Sequence, residues 1–317
     1  MLFKIARIAL VCLMLVVTAQ AEGQNLPNKP IRIETSEPGS TSDFVARLIA
    51  QGIAAGLSRQ IIVQNKGGLM AADTGFRAAP DGSTIVLNGS SLWTAQLVRN
   101  DVPYDAVRDF APITLAADAP NVMVVSGTLA VRSVSDLIAL AKAKPGEFNY
   151  GSGSTGAPSH LGMELFKSMT GVDIVRVAYK GTGPALNALL AGQVQVMILA
   201  PTGVLGHIKS GKLKALGVTS PKPSAVVPGM ATVAESLPGF DVAGPFGLFA
   251  PAKTPVPIVI RLNHEMVQVL NRPEEQQRLL TAGIEAVGSS PEEFVAYIAA
   301  DLAKWGQLIK AAGIKQQ

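Results

Sequence analysis

The stretch FNYGSGSTGAPSHLGMELF, residues 148–166, decides how the rest of the chain is read. A short apolar run, Phe148 to Tyr150, leads into a glycine-rich turn, after which Leu161, Leu165 and Met169 recur at helical spacing. Strand, glycine turn and helix make the first half of a βαβ unit. Gly151, Gly153 and Gly156 also spell G-x-G-x-x-G, the fingerprint of a dinucleotide-binding turn. Such a site needs an acidic residue at the end of the next strand, about 20 residues on, to hold the ribose. Here that strand ends in Val177-Ala178-Tyr179-Lys180, and Asp173 lies before it. The turn is not an NAD site. What it keeps is a helix start with backbone N–H groups at the positive end of a dipole, with Pro158 near the first helical position.

Working outward, short apolar runs alternate with amphipathic stretches. Strands are expected at 31–33, 61–63, 84–87, 122–125, 148–150, 174–177, 196–199 and 213–218. Between them, Phe44, Leu48, Ile53 and Leu57 mark one helix, and Ala185, Leu186, Leu189 and Leu190 another. Strands alternating with helices imply an α/β protein with mainly parallel sheets. After Pro251 the pattern is helical only: Ile258, Leu262 and Met266 form one stripe, and Phe294, Ile298, Leu302, Trp305 and Ile309 a longer one.

Two further helices begin like the one after Gly156. In SEPGSTSDFVARL a glycine-serine turn enters a helix capped at Ser42 or Asp43, and in YKGTGPALNALL Gly181 and Gly183 precede Pro184. Each turn alone reads as an ordinary capped βα loop. Three together favour a polar ligand cleft, because free amides at helix starts bind anions and, in open α/β sheets, gather beyond the carboxyl ends of the strands.

Tests for other chemistry fail. Gly206 to Lys212 resembles a P-loop, but Leu213 stands where a magnesium-binding hydroxyl belongs, and Gly211 reads as a helix C-cap. There is no G-x-S-x-G elbow. His160, His207 and His264 lack metal-ligand spacing. His160, in the first turn of its helix, either donates to a ligand or simply caps and packs. Pairing it with Ser154 would make an exported hydrolase, although no third orienting group is indicated.

The opening MLFKIARIALVCLMLVVTAQAEGQ has a positive start at Lys4 and Arg7, an apolar core from Ile8 to Val17, and Ala19-Gln20-Ala21 as a cleavage site. Residues 1–21 therefore read as a secretory signal peptide, too short in its core to span a membrane. Cys12, the only cysteine, leaves with it, so the mature chain has no disulfide. Removing Lys4 and Arg7 lowers the formal charge from +4 to +2, with no basic block, which argues against nucleic acid as a partner.

Over nearly the whole mature chain the sequence resembles the Bug family, the TctC-type substrate-binding proteins of tripartite tricarboxylate transporters. The matching stretches include NKPIRIETSEPGSTSDFVARLIAQGI, AAPDGSTIVLNGSS, VPYDAVRDFAPIT, the opening stretch continued through VDIVRVAYKGTGPALNALLAGQVQVMI, HIKSGKLKALGVTS, ATVAESLPGF and SPEEFVAYIAADLAKWGQLIKAAGI. The resemblance implies a two-lobed periplasmic binding-protein fold of type II with the ligand held between the lobes. One lobe would comprise 26–120 and 246–317, with the late helices packed back on it, and the other 121–245. Hinges would lie near Ala119–Asn121 and Ala243–Phe246.

It also implies a monomer that is not an enzyme, uses no cofactor, and delivers a small organic acid to membrane permease subunits from the periplasm. A sensory module signalling to a membrane kinase would use the same closure. The implied contacts are Ser36, Pro38, Gly39, Ser40, Thr41, Ser42 and Asp43 in a first loop, facing Gly153, Ser154, Thr155, Gly156, Ser159 and His160 in a second. Ser90, Ser91 and Leu92 would line the wall, with Tyr179, Gly181, Ala200 and Pro201 closing the far side. The family commonly has an aromatic residue and a glycine where Ser36 and Ser40 stand, and often an acidic residue in the segment that here reads Ile198-Leu199-Ala200-Pro201. Glu37 either adds a negative charge beside the pocket or simply points to solvent. These departures point to an aromatic or partly apolar carboxylate.

Overall fold

The structure, a computed structural model, describes residues 26–67, 69–153, 156–179 and 182–314, and the expected leader lies outside them. Ile and Val runs become strands because branched side chains suit a buried pleated surface. Ile31–Thr35 (β1), Ile61–Asn65 (β2) and Thr84–Gly89 (β3) pair in parallel. Thr41–Leu57 (α1) and Leu69–Phe76 (α2) connect them, and Ser91–Val98 (α3) follows β3. Phe110–Asp118 (β4), Pro245–Pro251 (β10) and Glu285–Ala286 (β11) complete a six-stranded sheet in the order β11-β4-β10-β3-β1-β2. The second sheet contains Val122–Ser126 (β5), Phe148–Ser152 (β6), Ile174–Ala178 (β7), Val196–Leu199 (β8) and Leu213–Val218 (β9), in the order β7-β6-β8-β5-β9. Its helices are Val134–Ala143 (α4), Pro158–Thr170 (α5), Thr182–Leu190 (α6), Pro201–Lys209 (α7) and Val233–Ser236 (α8).

The chain passes from the first sheet to the second through residues 119–121 and returns through 242–244. This explains why the sheets are mixed rather than mainly parallel. β5 follows β4 with no helix between them, and β10 is reached by an extended return after the four-residue α8, so neither arrives by a βαβ crossover within its own sheet. β5 therefore runs against β8 and β9, and β10 against β3 and β4. The two crossing segments touch: Ala119 N–H donates to Gly244 O (2.9 Å), and Gly244 N–H to Oδ1 of Asp118 (2.8 Å). A β-carbon on Gly244 would collide with the Ala119 carbonyl, so only glycine fits there.

One face of the first sheet buries Leu48, Ile49 and Ile53 of α1 together with Leu262 and Met266 of Val256–Leu270 (α9). Its other face carries Trp93, Phe249 and Phe294, with Phe249 and Phe294 ring centroids 5.0 Å apart. Pro273–Thr281 (α10) and Pro291–Ala311 (α11) end the helical tail. The tail does not pack on the first sheet alone. Phe294 and Ile298 of α11 do so, whereas Trp305, Leu308 and Ile309, further along the same helix, join the core of the second sheet with Leu161, Phe166 and Val242. The apolar stripe is continuous in sequence, but the helix is long enough, at 21 residues and about 30 Å, to cross from one half to the other.

Candidate ligand-binding cleft

A cavity of about 390 Å³ lies between the two sheets. Ser90, Ser91 and Thr94 at the start of α3 form one wall, Gly156, Ala157 and Pro158 at the start of α5 face them, and Gly244, Pro245 and Phe246 of the returning segment form the floor. Both helix starts lack a side-chain cap. Ser90, at the N-cap of α3, is itself helical (φ −53°, ψ −24°) and makes no capping bond; Ala157 at the N-cap of α5 has no group to do so, and Pro158 follows. The start of α3 therefore meets the cavity without a competing side-chain acceptor, whereas at α5 Pro158 has no N–H and that of Gly156 is held by His160 Nδ1, so what both helices share is the positive end of a dipole turned to the cavity.

The expected first loop is built differently. Ser40, not Ser42 or Asp43, caps α1, accepting the N–H of Asp43 at 3.2 Å, while Asp43 Oδ2 accepts the N–H of Gly39 at 2.9 Å. Asp43 Oδ1 also takes Asn65 Nδ2–H (2.8 Å) and pairs with Arg47 (2.9 Å). Burial pulls the Asp43 carboxyl upward, but the bonds from Arg47, Asn65 and Gly39 outweigh it and hold the group below its ordinary value. Amides that would serve a ligand are thus already used by the loop's own side chains. Ser36, Pro38, Gly39, Ser40, Thr41, Ser42 and Asp43 are not among the residues that line the cavity. Glu37 is exposed and lies against Gly67, at the turn before Leu69, which does line it.

In the second loop Gly156 lines the cavity. Ser159 and His160 instead hold the loop from behind: Gly153 N–H donates to Ser159 Oγ (3.2 Å), and Gly156 N–H to His160 Nδ1 (3.1 Å). His160 is 3% exposed, and burial first, then the Arg176 charge, push its pKa down to about 4. It is a neutral acceptor at pH 7, and its Nδ1 is occupied rather than poised as a base. Arg176 Nε–H donates to Ser152 Oγ at 2.9 Å, placing a positive charge behind the same turn. Ser154, Thr155, Lys180 and Gly181 lie outside the described residues.

Of the expected wall residues, Ser90 and Ser91 line the cavity, whereas Leu92 is fully buried beside Trp93 in the aromatic cluster, on the opposite side of α3. Tyr179 packs against the other face of the second sheet, its N–H bound to Ser152 O. Ala200 and Pro201, at the start of α7, also stand apart from the cavity lining. Leu69, Thr94, Ala95, Arg99 and Phe246 escaped sequence reasoning. The one available signal was the four-residue spacing of Ser91 and Ala95, which places them on one helix face; Arg99 follows as the extended residue that ends the helix.

A family profile described as "Tripartite tricarboxylate transporter family receptor", TctC, matches residues 45–314. The chain is a member of the TctC family. It is 33% identical over 301 residues to a UPF0065 protein in the tcbD–tcbE intergenic region of Pseudomonas sp. strain P51, covering 92% of this chain and 90% of the relative. Among solved structures, the R. palustris protein Rpa4515 with adipate superposes with a TM-score of 0.81 at 32% identity, covering 92% of this chain and all of that one. The periplasmic binding protein BugD superposes with a TM-score of 0.77 at 31% identity, covering 92% and 100%. TctC members are periplasmic binding proteins with a mixed α/β fold, and this chain has that fold.

Proposed function

We propose that this protein captures a small organic carboxylate in the cleft and delivers it to the membrane subunits of a tripartite tricarboxylate transporter. The observation that carries the reading is the pair of uncapped helix starts, α3 from one sheet and α5 from the other, facing one cavity. Two dipole ends in a site that excludes water on closure favour an anion more strongly than the same groups in bulk solvent. The neighbour solved with adipate supports a carboxylate. In this reading residues 26–120 with 246–317 form one lobe and 121–245 the other, a leader over 1–21 sends the chain to the periplasm, and one chain supplies both walls, so it acts as a monomer.

Ser90, Ser91, Thr94 and Gly156 are assigned to the ligand, while Asp43, Ser159 and His160 shape the loops. The test is thermal stability across a panel of organic acids: a ligand at a hundredfold excess over its Kd adds about 2.7 kcal/mol. A panel without a single stabilising acid overturns the reading. Uptake of the same acid, lost in a deletion strain, tests the transporter.

A further inference from the structure

We infer that Lys304 is the counter-charge that lets the cleft hold an anion, by neutralising a carboxylate, Asp301, built into the back of the cleft wall. The inference rests on the reading of the cleft as a carboxylate site and deepens it. Behind the cleft lies a second, much smaller gap of about 10 Å³. Ser90, Thr94, Gly156 and Pro158 line both spaces, and Asp301 and Trp305 of α11 close the smaller one. The cleft and Asp301 thus share one wall, a single layer of residues thick. Asp301 is 6% exposed and is the one ionisable side chain among the described residues around this gap. An unmatched carboxylate in that place repels the anion that the two dipole ends attract.

Asp301 has two partners of different kinds. Oδ2 accepts Trp93 Nε1–H at 2.8 Å, which fixes the indole and leaves the charge in place. Oδ1 lies 3.4 Å from Lys304 Nζ, three residues further along α11, which supplies the opposite charge. The same ammonium pairs with Asp241 Oδ2 (3.2 Å) on the returning segment and lies 4.8 Å from the centre of the Trp305 ring. Asp301 is too deeply buried for water to screen it, so without Lys304 its charge is uncompensated. Negative charge is already in excess around it. Burial, with Asp241 and Glu285 added, pushes the nearby Asp118 up to about 6 although Gly244 N–H and Lys304 pull the other way. Across about 8 Å, at an effective dielectric of about 20, one unmatched charge shifts anion affinity by more than about tenfold.

The experiment is calorimetric titration of the full mature chain and four variants with succinate, adipate and benzoate. Lys304→Gln should weaken the acids that wild type binds by about tenfold or more, and Lys304→Arg should stay within about threefold of wild type. Asp301→Asn, whose carbonyl still accepts the Trp93 N–H, should bind no more weakly than wild type. The double variant Asp301→Asn/Lys304→Gln should return to within about threefold of wild type. Circular-dichroism melts of the unliganded variants confirm that they fold. A purely structural role for the pair weakens binding in both single variants and gives no rescue in the double. The inference is overturned if Lys304→Gln binds like wild type, if Asp301→Asn weakens binding as Lys304→Gln does, or if the double variant binds no tighter than Lys304→Gln. The carboxylate reading survives each of those results. If none of the three acids binds wild type, both fall.

Discussion

Asp118 sits where the chain leaves the first sheet, and its ionisation should set a pH dependence of stability that Asp118→Asn removes. Burial, with the charges of Asp241 and Glu285 added, pushes its carboxyl from 3.8 up to about 6, against the favourable bond from Gly244 N–H and the opposing charge of Lys304. A folded pKa above the unfolded one means that the native state holds a proton the unfolded chain releases. Its contribution is complete below about pH 4 and is lost as pH rises through 6. At 1.36 kcal/mol per pH unit, the window from 3.8 to about 6 corresponds to about 3 kcal/mol. Asn keeps the carbonyl that accepts Gly244 N–H and cannot ionise. Urea unfolding of both proteins at intervals from pH 4 to 7.5 should therefore show Asp118→Asn gaining on wild type by roughly 3 kcal/mol across that range. His160, whose folded pKa is depressed, loses stability as pH falls through the same window. That contribution is common to both proteins and cancels in the difference. A difference that stays flat with pH refutes the argument, whatever its absolute size.

Three further outcomes follow from particular contacts. Asp43→Ala leaves the N–H of Gly39 without its acceptor and takes one of two from the Asn65 amide, which keeps Ser36 O, and should cost about 2 kcal/mol in a urea melt. The same variant should change carboxylate affinity less than about threefold by calorimetry, since the first loop binds itself. Trp305→Ala, removing a ring that is 5% exposed, should cost about 3–5 kcal/mol in thermal or urea unfolding. Gly244→Ala forces the two crossing segments apart, so it should lower the melting temperature and weaken ligand binding together.

Much of the fold was legible because local pattern and tertiary role agree for most strands. Every expected run, from Ile31 to Val218, lies in a strand, because short branched apolar runs bounded by turns have few other uses. β4 and β10 were not legible: Pro112, Gly247 and Pro251 break the β pattern. Gly247 is there because Phe294 occupies the space where its side chain would be. The reversed direction of β5 and β10 comes from the chain's crossings, which periodicity does not encode.

Of the cavity lining, Gly156 and Pro158 were legible from local chemistry, as a turn glycine and a first-position proline. The loop at Pro38–Asp43 stands outside this lining for a physical reason: its serines and aspartate satisfy their own backbone, a composition shared with loops that leave their amides for a ligand. Arg99 and Phe246 meet only through the fold, more than a hundred residues apart in sequence, and no short window could join them.

The helix that begins at Pro291 is rooted in one half of the molecule by Phe294 and reaches the other with Trp305. A swing that widens the cleft must therefore either tow this rod along or peel its indole from Leu161 and Val242, and the resistance of that single seal sets much of the effort of gaping. The other tryptophan, Trp93, is tied to the same rod, donating its indole N–H to Asp301 (2.8 Å) one turn before Trp305, so the motion carries its own optical reporter: opening should change the tryptophan emission, and Trp305→Phe should remove the part that comes from the seam.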